Sequence, residues 1–169
     1  MAVDTASAGI LSPDKAAERE QVVELLTTAY WMEMETVMSY IANSINPDGV
    51  RAREVVEHLQ DDITEELGHA QQFGERIKEL YGVVPGSMDF KPEQTYLQPP
   101  SQQTDVVHVI KGVIEAEKGA IEHYQRIIEL CDGVDHVTQD MVIDIQRDEQ
   151  KHRRLFEGFL REYEVEGRA

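Results

Sequence analysis

The feature that most constrains this chain is a motif that occurs twice. Glu33, Tyr40 and Glu66-Leu67-Gly68-His69 recur, in the same order, as Glu117, Tyr124 and Glu149-Gln150-Lys151-His152. In each half a tyrosine follows the first glutamate by seven residues, and the Glu-x-x-His run follows it by 33 residues in one half and 32 in the other. Residues three apart share one face of a helix, so each Glu-x-x-His pair can grip a cation from a single side. Four carboxylates and two imidazoles form the donor set of a dinuclear carboxylate site inside a four-helix bundle. The repeat therefore predicts an all-α chain with a redox-active metal site between its helices.

Turn residues divide the chain accordingly. Ser12-Pro13 reads as a cap followed by proline at the first helical position, and Asn46-Pro47-Asp48-Gly49 reads as a turn. Helix A is thus expected over about 13–45 and helix B over about 49–81. The stretch from Gly82 to Pro100 holds four prolines and two glycines and cannot be one helix. Ser101 or Thr104 is expected to cap helix C, which runs to about 131 and stops at Gly133; Asp135 caps helix D, which runs to about 163. The result is an antiparallel four-helix bundle over 13–165, two helical hairpins joined by a long B-C crossover. Residues 1–12, small and polar, are expected to form a flexible N-terminal tail.

Hydrophobic periodicity selects the inward glutamates. Helix B carries Val56, Leu59, Ile63, Glu66, Ala70, Phe73, Ile77 and Leu80 at helical spacing, with Glu66 the one charged interruption. Helix C carries Ile110, Val113, Glu117, Ala120, Tyr124 and Ile127; helix D carries Met141, Ile145, Glu149, His152, Phe156, Phe159 and Tyr163. Helix A carries Val22, Leu26, Tyr30, Glu33, Val37 and Tyr40. An unpaired carboxylate buried in such a stripe is costly, and four of them near one level call for cations. Glu35, on a shorter stripe with Trp31 and Met38, competes with Glu33; Glu33 is preferred because it reproduces the tyrosine spacing and the 33-residue interval. Glu115, Glu122 and Glu129 share a polar face with Lys111 and Lys118 and are assigned to solvent. His58, His108, His123 and His136 lie outside the motif and are expected at the surface.

Composition narrows the function classes. The net charge of −17 opposes binding to nucleic acid or anionic lipid and concentrates cations. No stretch approaches the ~20 apolar residues of a membrane span, and the N-terminal residues do not resemble a signal peptide. With Cys131 alone there is no internal disulfide or four-cysteine centre, and a reducing cytoplasm is the expected compartment.

Taken together, Met32-Glu33 through Tyr40, Glu65-Glu66-Leu67-Gly68-His69-Ala70, Glu117-Lys118-Gly119-Ala120 and Arg147-Asp148-Glu149-Gln150-Lys151-His152 resemble the four di-iron segments of bacterioferritins and the related Dps-like ferritins. The resemblance spans most of residues 20–160. It implies Glu66 and Glu149 as bridging carboxylates, Glu33 and Glu117 as terminal ones, and His69 and His152 as one nitrogen ligand per iron. Tyr40 would lie beside the site and, ahead of Tyr124 or Trp31, supply an electron when the oxidant needs more than two irons provide. Glu65 and Asp148 match positions that hydrogen-bond the histidine of the opposite motif. The fold implied is the ferritin-like bundle.

Departures from the family refine the expectation. Leu67 stands where haem-binding bacterioferritins place an axial methionine, so haem is not expected. Only 17 residues follow His152, too few for a fifth helix, which favours a homo-oligomeric cage of twelve subunits over twenty-four. The tail before helix A has only Lys15, unlike the lysine-rich tails of DNA-binding Dps proteins, and Ala120 replaces the extra helix C glutamate of rubrerythrins. The expected function is a ferroxidase and iron-storage protein that binds two Fe ions per subunit, with Mn a possible substitute. It would oxidise Fe(II) with hydrogen peroxide or dioxygen and store Fe(III) in the cage. The alternative is a peroxide-consuming di-metal enzyme, manganese catalase-like or rubrerythrin-like, without mineral storage.

Overall fold

The structure, a computed structural model, describes residues 9–167. Among these there are four long helices and no strand: α1 (Ala16–Ile45), α2 (Arg53–Glu79), α3 (Val106–Cys131) and α4 (His136–Val165). Helix B begins four residues later than expected because Gly49, at φ 96°, holds the α1–α2 turn in the left-handed region. Pro13–Lys15 forms a 3₁₀ turn before α1 instead of its first turn. Asp105, not Ser101 or Thr104, caps α3, its carboxylate accepting from the backbone N–H of His108 at 3.0 Å. Asp135 caps α4 as expected, accepting from Thr138 N–H at 3.2 Å.

The expected flexible tail falls mostly on residues 1–8, which lie outside the described residues. Its described end departs from that expectation: Gly9–Leu11 forms a 3₁₀ turn, and Ile10 is buried in an apolar cluster drawn from all four helices. The guanidinium of Arg19 holds this segment by donating to the carbonyls of Ile10 and Ser12.

Two apolar clusters occupy the two ends of the bundle. One gathers Val22 and Leu26 from α1, Phe73 and Ile77 from α2, Tyr124 and Ile127 from α3, and Val142 and Ile145 from α4. The other gathers Tyr40, Val55, Leu59, Val109, Ile110, Val113 and Phe156. The order of these residues along each helix makes α1 antiparallel to α2, and α3 antiparallel to α4. It also makes α2 parallel to α3, so the crossover must travel the length of the bundle. The glutamates of the stripes lie between the two clusters.

The crossover is fastened by polar groups that face the helices. Both oxygens of the buried Glu35 carboxylate accept from Glu93 N–H, at 2.9 and 3.0 Å, and one also accepts from Gln94 N–H at 2.8 Å. Gln94 donates to the hydroxyl of Thr36, and Asn43 donates to the carbonyl of Leu97 at 2.8 Å. A Cβ at Gly112 would stand 2.6 Å from the Tyr96 carbonyl oxygen, so this close approach of α3 to the crossover requires glycine. At the other end, Arg76 joins α2 to the α3–α4 turn. It donates to both oxygens of Asp135 at 3.0 Å and to Thr138 Oγ1 at 2.8 Å.

Glu115, Glu122, Glu129, Lys111 and Lys118 are exposed, as the periodicity predicts. His123 is not at the surface: it is buried, and its Nε2 donates to the Leu25 carbonyl at 2.8 Å. Burial pushes its pKa below the usual value and keeps it neutral. No helix among the described residues is long and apolar enough to cross a membrane.

Candidate metal centre

The six residues singled out by the repeat meet in the polar layer between the two apolar clusters, each helix contributing at least one. Glu33, Glu66, Glu117 and Glu149 are each at most 2 % exposed, His69 is 3 % exposed and His152 8 %. They form two sets whose oxygen and nitrogen atoms lie within 4.8 Å of one another: Glu33, Glu66, His69 and Glu149, then Glu66, Glu117, Glu149 and His152. Glu66 and Glu149 belong to both.

The two sets are near mirror images in contact as well as composition. Nδ1 of His69 stands 3.2 Å from Glu66, 3.1 Å from Glu149 and 3.9 Å from Glu33. Nδ1 of His152 stands 3.4 Å from Glu66, 3.6 Å from Glu149 and 3.9 Å from Glu117. Both imidazoles thus turn Nδ1 inward and Nε2 outward. The terminal glutamates are held by tyrosines of the opposite half. Tyr40 donates to Glu117 at 2.5 Å, and Tyr124 donates to Glu33. This is where the seven-residue spacing leads: on antiparallel α1 and α3, two turns of displacement bring each tyrosine to the other helix's glutamate.

Electrostatics shows a site with more negative charge than it can keep. Burial, reinforced by the neighbouring carboxylates, raises the pKa of Glu33 and Glu117 well above the ordinary range. Burial alone would also raise Glu66, but contacts with His152, His69 and Glu33 outweigh it and draw it down to about 2. Burial opposes charge on the imidazoles, yet Glu149 and Glu66 raise His69 to about 10 and His152 to about 12. Oε1 of Glu66, Oε1 of Glu149 and Nδ1 of His152 are buried without a hydrogen-bond partner. Unsatisfied donor atoms at the centre of a charged cluster are what a pair of divalent cations would engage. Carboxylates and imidazoles fit Fe(II) or Mn(II) by type and by number.

Other predicted residues sort around this centre. Glu65 reaches Nε2 of His152 at 3.3 Å. Asp148 stands 3.9 Å from Nε2 of His69, beyond hydrogen-bond range. Glu35 is turned away to the crossover, which leaves Glu33 as the α1 carboxylate of the cluster. Trp31 packs between Tyr30 and Phe90, with ring centroids 5.1 Å from each. Sequence reasoning missed Asp62, which is buried behind His152 at 3.7 Å. Its signal was available, because it lies four residues before Glu66 and therefore on the same face.

Residues 23–165 match the ferritin-like domain. The chain is 28 % identical over 146 residues to the DNA protection during starvation protein of Pyrococcus furiosus, covering 83 % of this chain and 77 % of that protein. Among solved structures it superposes on a bacterioferritin from Desulfovibrio desulfuricans described with a diiron site, at a TM-score of 0.76 and 23 % identity, covering 89 % of this chain and 84 % of that one. A dodecameric thioferritin, a bacterioferritin-related protein from Bacteroides fragilis, gives the same TM-score and identity over 88 % of this chain and 89 % of its own. With the family match covering all four helices and the duplicated Glu, Tyr and Glu-x-x-His motif, this chain belongs to the ferritin-like family.

Proposed function

We propose that this protein is a ferroxidase that oxidises Fe(II) at a carboxylate-bridged pair of positions and stores the Fe(III) inside a homo-oligomeric cage. The observation that carries the reading is the sharing of Glu66 and Glu149 between two otherwise separate ligand sets. Shared carboxylates hold two cations close enough to act on one oxidant molecule. Glu33, Glu66, His69 and Glu149 hold one Fe(II), and Glu66, Glu117, Glu149 and His152 hold the other. Two Fe(II) supply two electrons, which with two protons reduce one hydrogen peroxide to two waters, or one dioxygen to hydrogen peroxide.

The chain's own residues keep this chemistry contained. Tyr40 and Tyr124 fix one oxygen each of Glu117 and Glu33. The apolar clusters above and below exclude water from the layer. Tyr40, whose contact with Glu117 supports the role, lends a further electron when the oxidant needs more than two irons provide. The net charge of −17 draws Fe(II) towards the protein. The dodecameric thioferritin, similar in fold, supports a shell of twelve subunits over twenty-four.

Aerobic Fe(II) addition tests the reading when oxidation rate, iron retained per subunit and particle mass are followed together. A cage that oxidises Fe(II) rapidly and keeps many irons per chain is expected. Replacing Glu66 and Glu149 together by alanine should abolish the rapid phase while the far-ultraviolet spectrum stays helical. Rapid peroxide turnover by a monomer or dimer that retains no mineral would instead establish a di-metal peroxide-reducing enzyme.

A further inference from the structure

The duplication is broken at one position beside the metal centre. The counterpart of Ile145, four residues before Glu149, is Asp62, four residues before Glu66. Ile145 is part of an apolar cluster, as its place in the bundle demands. Asp62 is a carboxylate at 7 % exposure, and its Oδ2 has no hydrogen-bond partner. Its other oxygen stands 3.7 Å from Nε2 of His152, and Oε2 of Glu65 stands 3.3 Å from the same nitrogen. Oxygens of Asp62 and Glu65 and a ring nitrogen of His152 lie within 4.8 Å of one another.

This outer cluster differs from the centre in its access to solvent. The Glu65 side chain is 45 % exposed, that of Asp62 9 % and that of Glu66 1 %. Carboxylates are therefore graded from water to the interior along α2, with the His152 ring standing between the outer two and Glu66. His152 is also the most exposed of the six central residues. Behind the other histidine stand Asp148, already joined to Lys151, and the same Glu65, with no counterpart of Asp62, so the two sides of the centre differ by that buried carboxylate.

We infer that Asp62 and Glu65 form an additional, outer site for a divalent cation, stationed on the way to the inner position held by His152. Asp62 and Glu65 both stand against Nε2 of His152, whose Nδ1 faces the inner carboxylates, so the outer pair and the inner position share one ring. The inference rests on the reading of the six central residues as a dinuclear centre, and its test separates the two.

Co(II), which mimics Fe(II) without being oxidised by air on the time scale of soaking, is the probe. Crystals of the full chain soaked in Co(II) should show three anomalous peaks per subunit, two among the six central residues and one at roughly 2.0–2.3 Å from oxygens of Asp62 and Glu65. Asp62→Asn and, separately, Glu65→Gln should each remove the outer peak and keep the inner two. Glu65→Gln alters a half-exposed side chain and keeps the test valid if Asp62→Asn folds poorly. In stopped-flow absorption, inner filling should slow roughly tenfold in either folded variant, the scale of effect that a local carboxylate has on cation arrival. Two inner peaks with none beside Asp62 would overturn the outer site. Unchanged filling rates would overturn its staging role. An outer peak with the inner positions empty would instead remove the dinuclear reading and leave the outer site standing.

Discussion

Tyr40 donates a 2.5 Å hydrogen bond to Glu117 on the antiparallel helix of the other hairpin, and Tyr124 returns the same contact to Glu33. Each phenol is fully buried, so neither carboxylate has water as a substitute donor. Tyr40→Phe should cost the metal-free protein about 1–3 kcal/mol, the usual range for leaving a buried polar partner unsatisfied. It should also slow Fe(II) oxidation without changing the number of cations bound. Urea unfolding and Co(II) titration of the same variant check both halves of that statement.

Cation binding should expel protons. At neutral pH His69 and His152 are imidazolium, and burial holds the pKa of Glu33 and Glu117 above the usual carboxylate range. Two divalent cations displace the protons of both imidazoles and favour the ionised carboxylates, so their binding should release roughly two protons per chain or more, measurable in weakly buffered solution with a pH indicator. The same groups set a stability trend for the metal-free protein. Its histidines bind protons more tightly folded than unfolded. Their contribution is complete below about pH 6.5 and lost as the pH rises towards 10 for His69 and 12 for His152. Glu33 and Glu117, also raised, push in the same direction above their unfolded value of 4.5. Thermal midpoints of chelator-treated protein should therefore fall from pH 6.5 to pH 10, and saturating Co(II) should flatten the fall.

Glu33 and Glu35 lie two residues apart on α1 and do unrelated work. Glu35→Ala should unfasten the crossover, cost about 1–3 kcal/mol and open the 82–100 segment to proteases, with two Co(II) still bound at the centre. Glu33→Ala should do the reverse, weakening one Co(II) position and leaving the crossover as resistant as before. Limited proteolysis beside Co(II) titration distinguishes the pair.

Gly112→Ala should destabilise the fold by about 1–3 kcal/mol, because the added methyl meets the Tyr96 carbonyl at 2.6 Å and backbone must yield. The circular dichroism of α3 should be unaffected, since alanine favours helix. A variant as stable as the parent would show that the crossover shifts without cost.

The helices and their inward glutamates were legible because burial imposes a period on sequence: Glu66 interrupts an apolar stripe, and the duplicated spacing separates it from Glu65. Stripes are less informative where a helix is covered by more than its bundle neighbours. Glu35 reads as a rival ligand because the crossover that it holds has no periodicity of its own. His123 reads as exposed because the carbonyl that it meets, Leu25, lies 98 residues away. Asp105 was passed over as a cap in favour of Ser101 and Thr104, since all are good caps and only the path of the backbone chooses among them. Asp62 was missed because Ile63, beside it, satisfied the apolar pattern.

Each of the two four-residue ligand sets takes members from both hairpins. A growing chain that has folded only α1 and α2 presents Glu33, Glu66 and His69 with neither bridging partner nor second histidine. On the proposed dinuclear reading, neither cation position would have its full ligand set until α4 emerges from the ribosome.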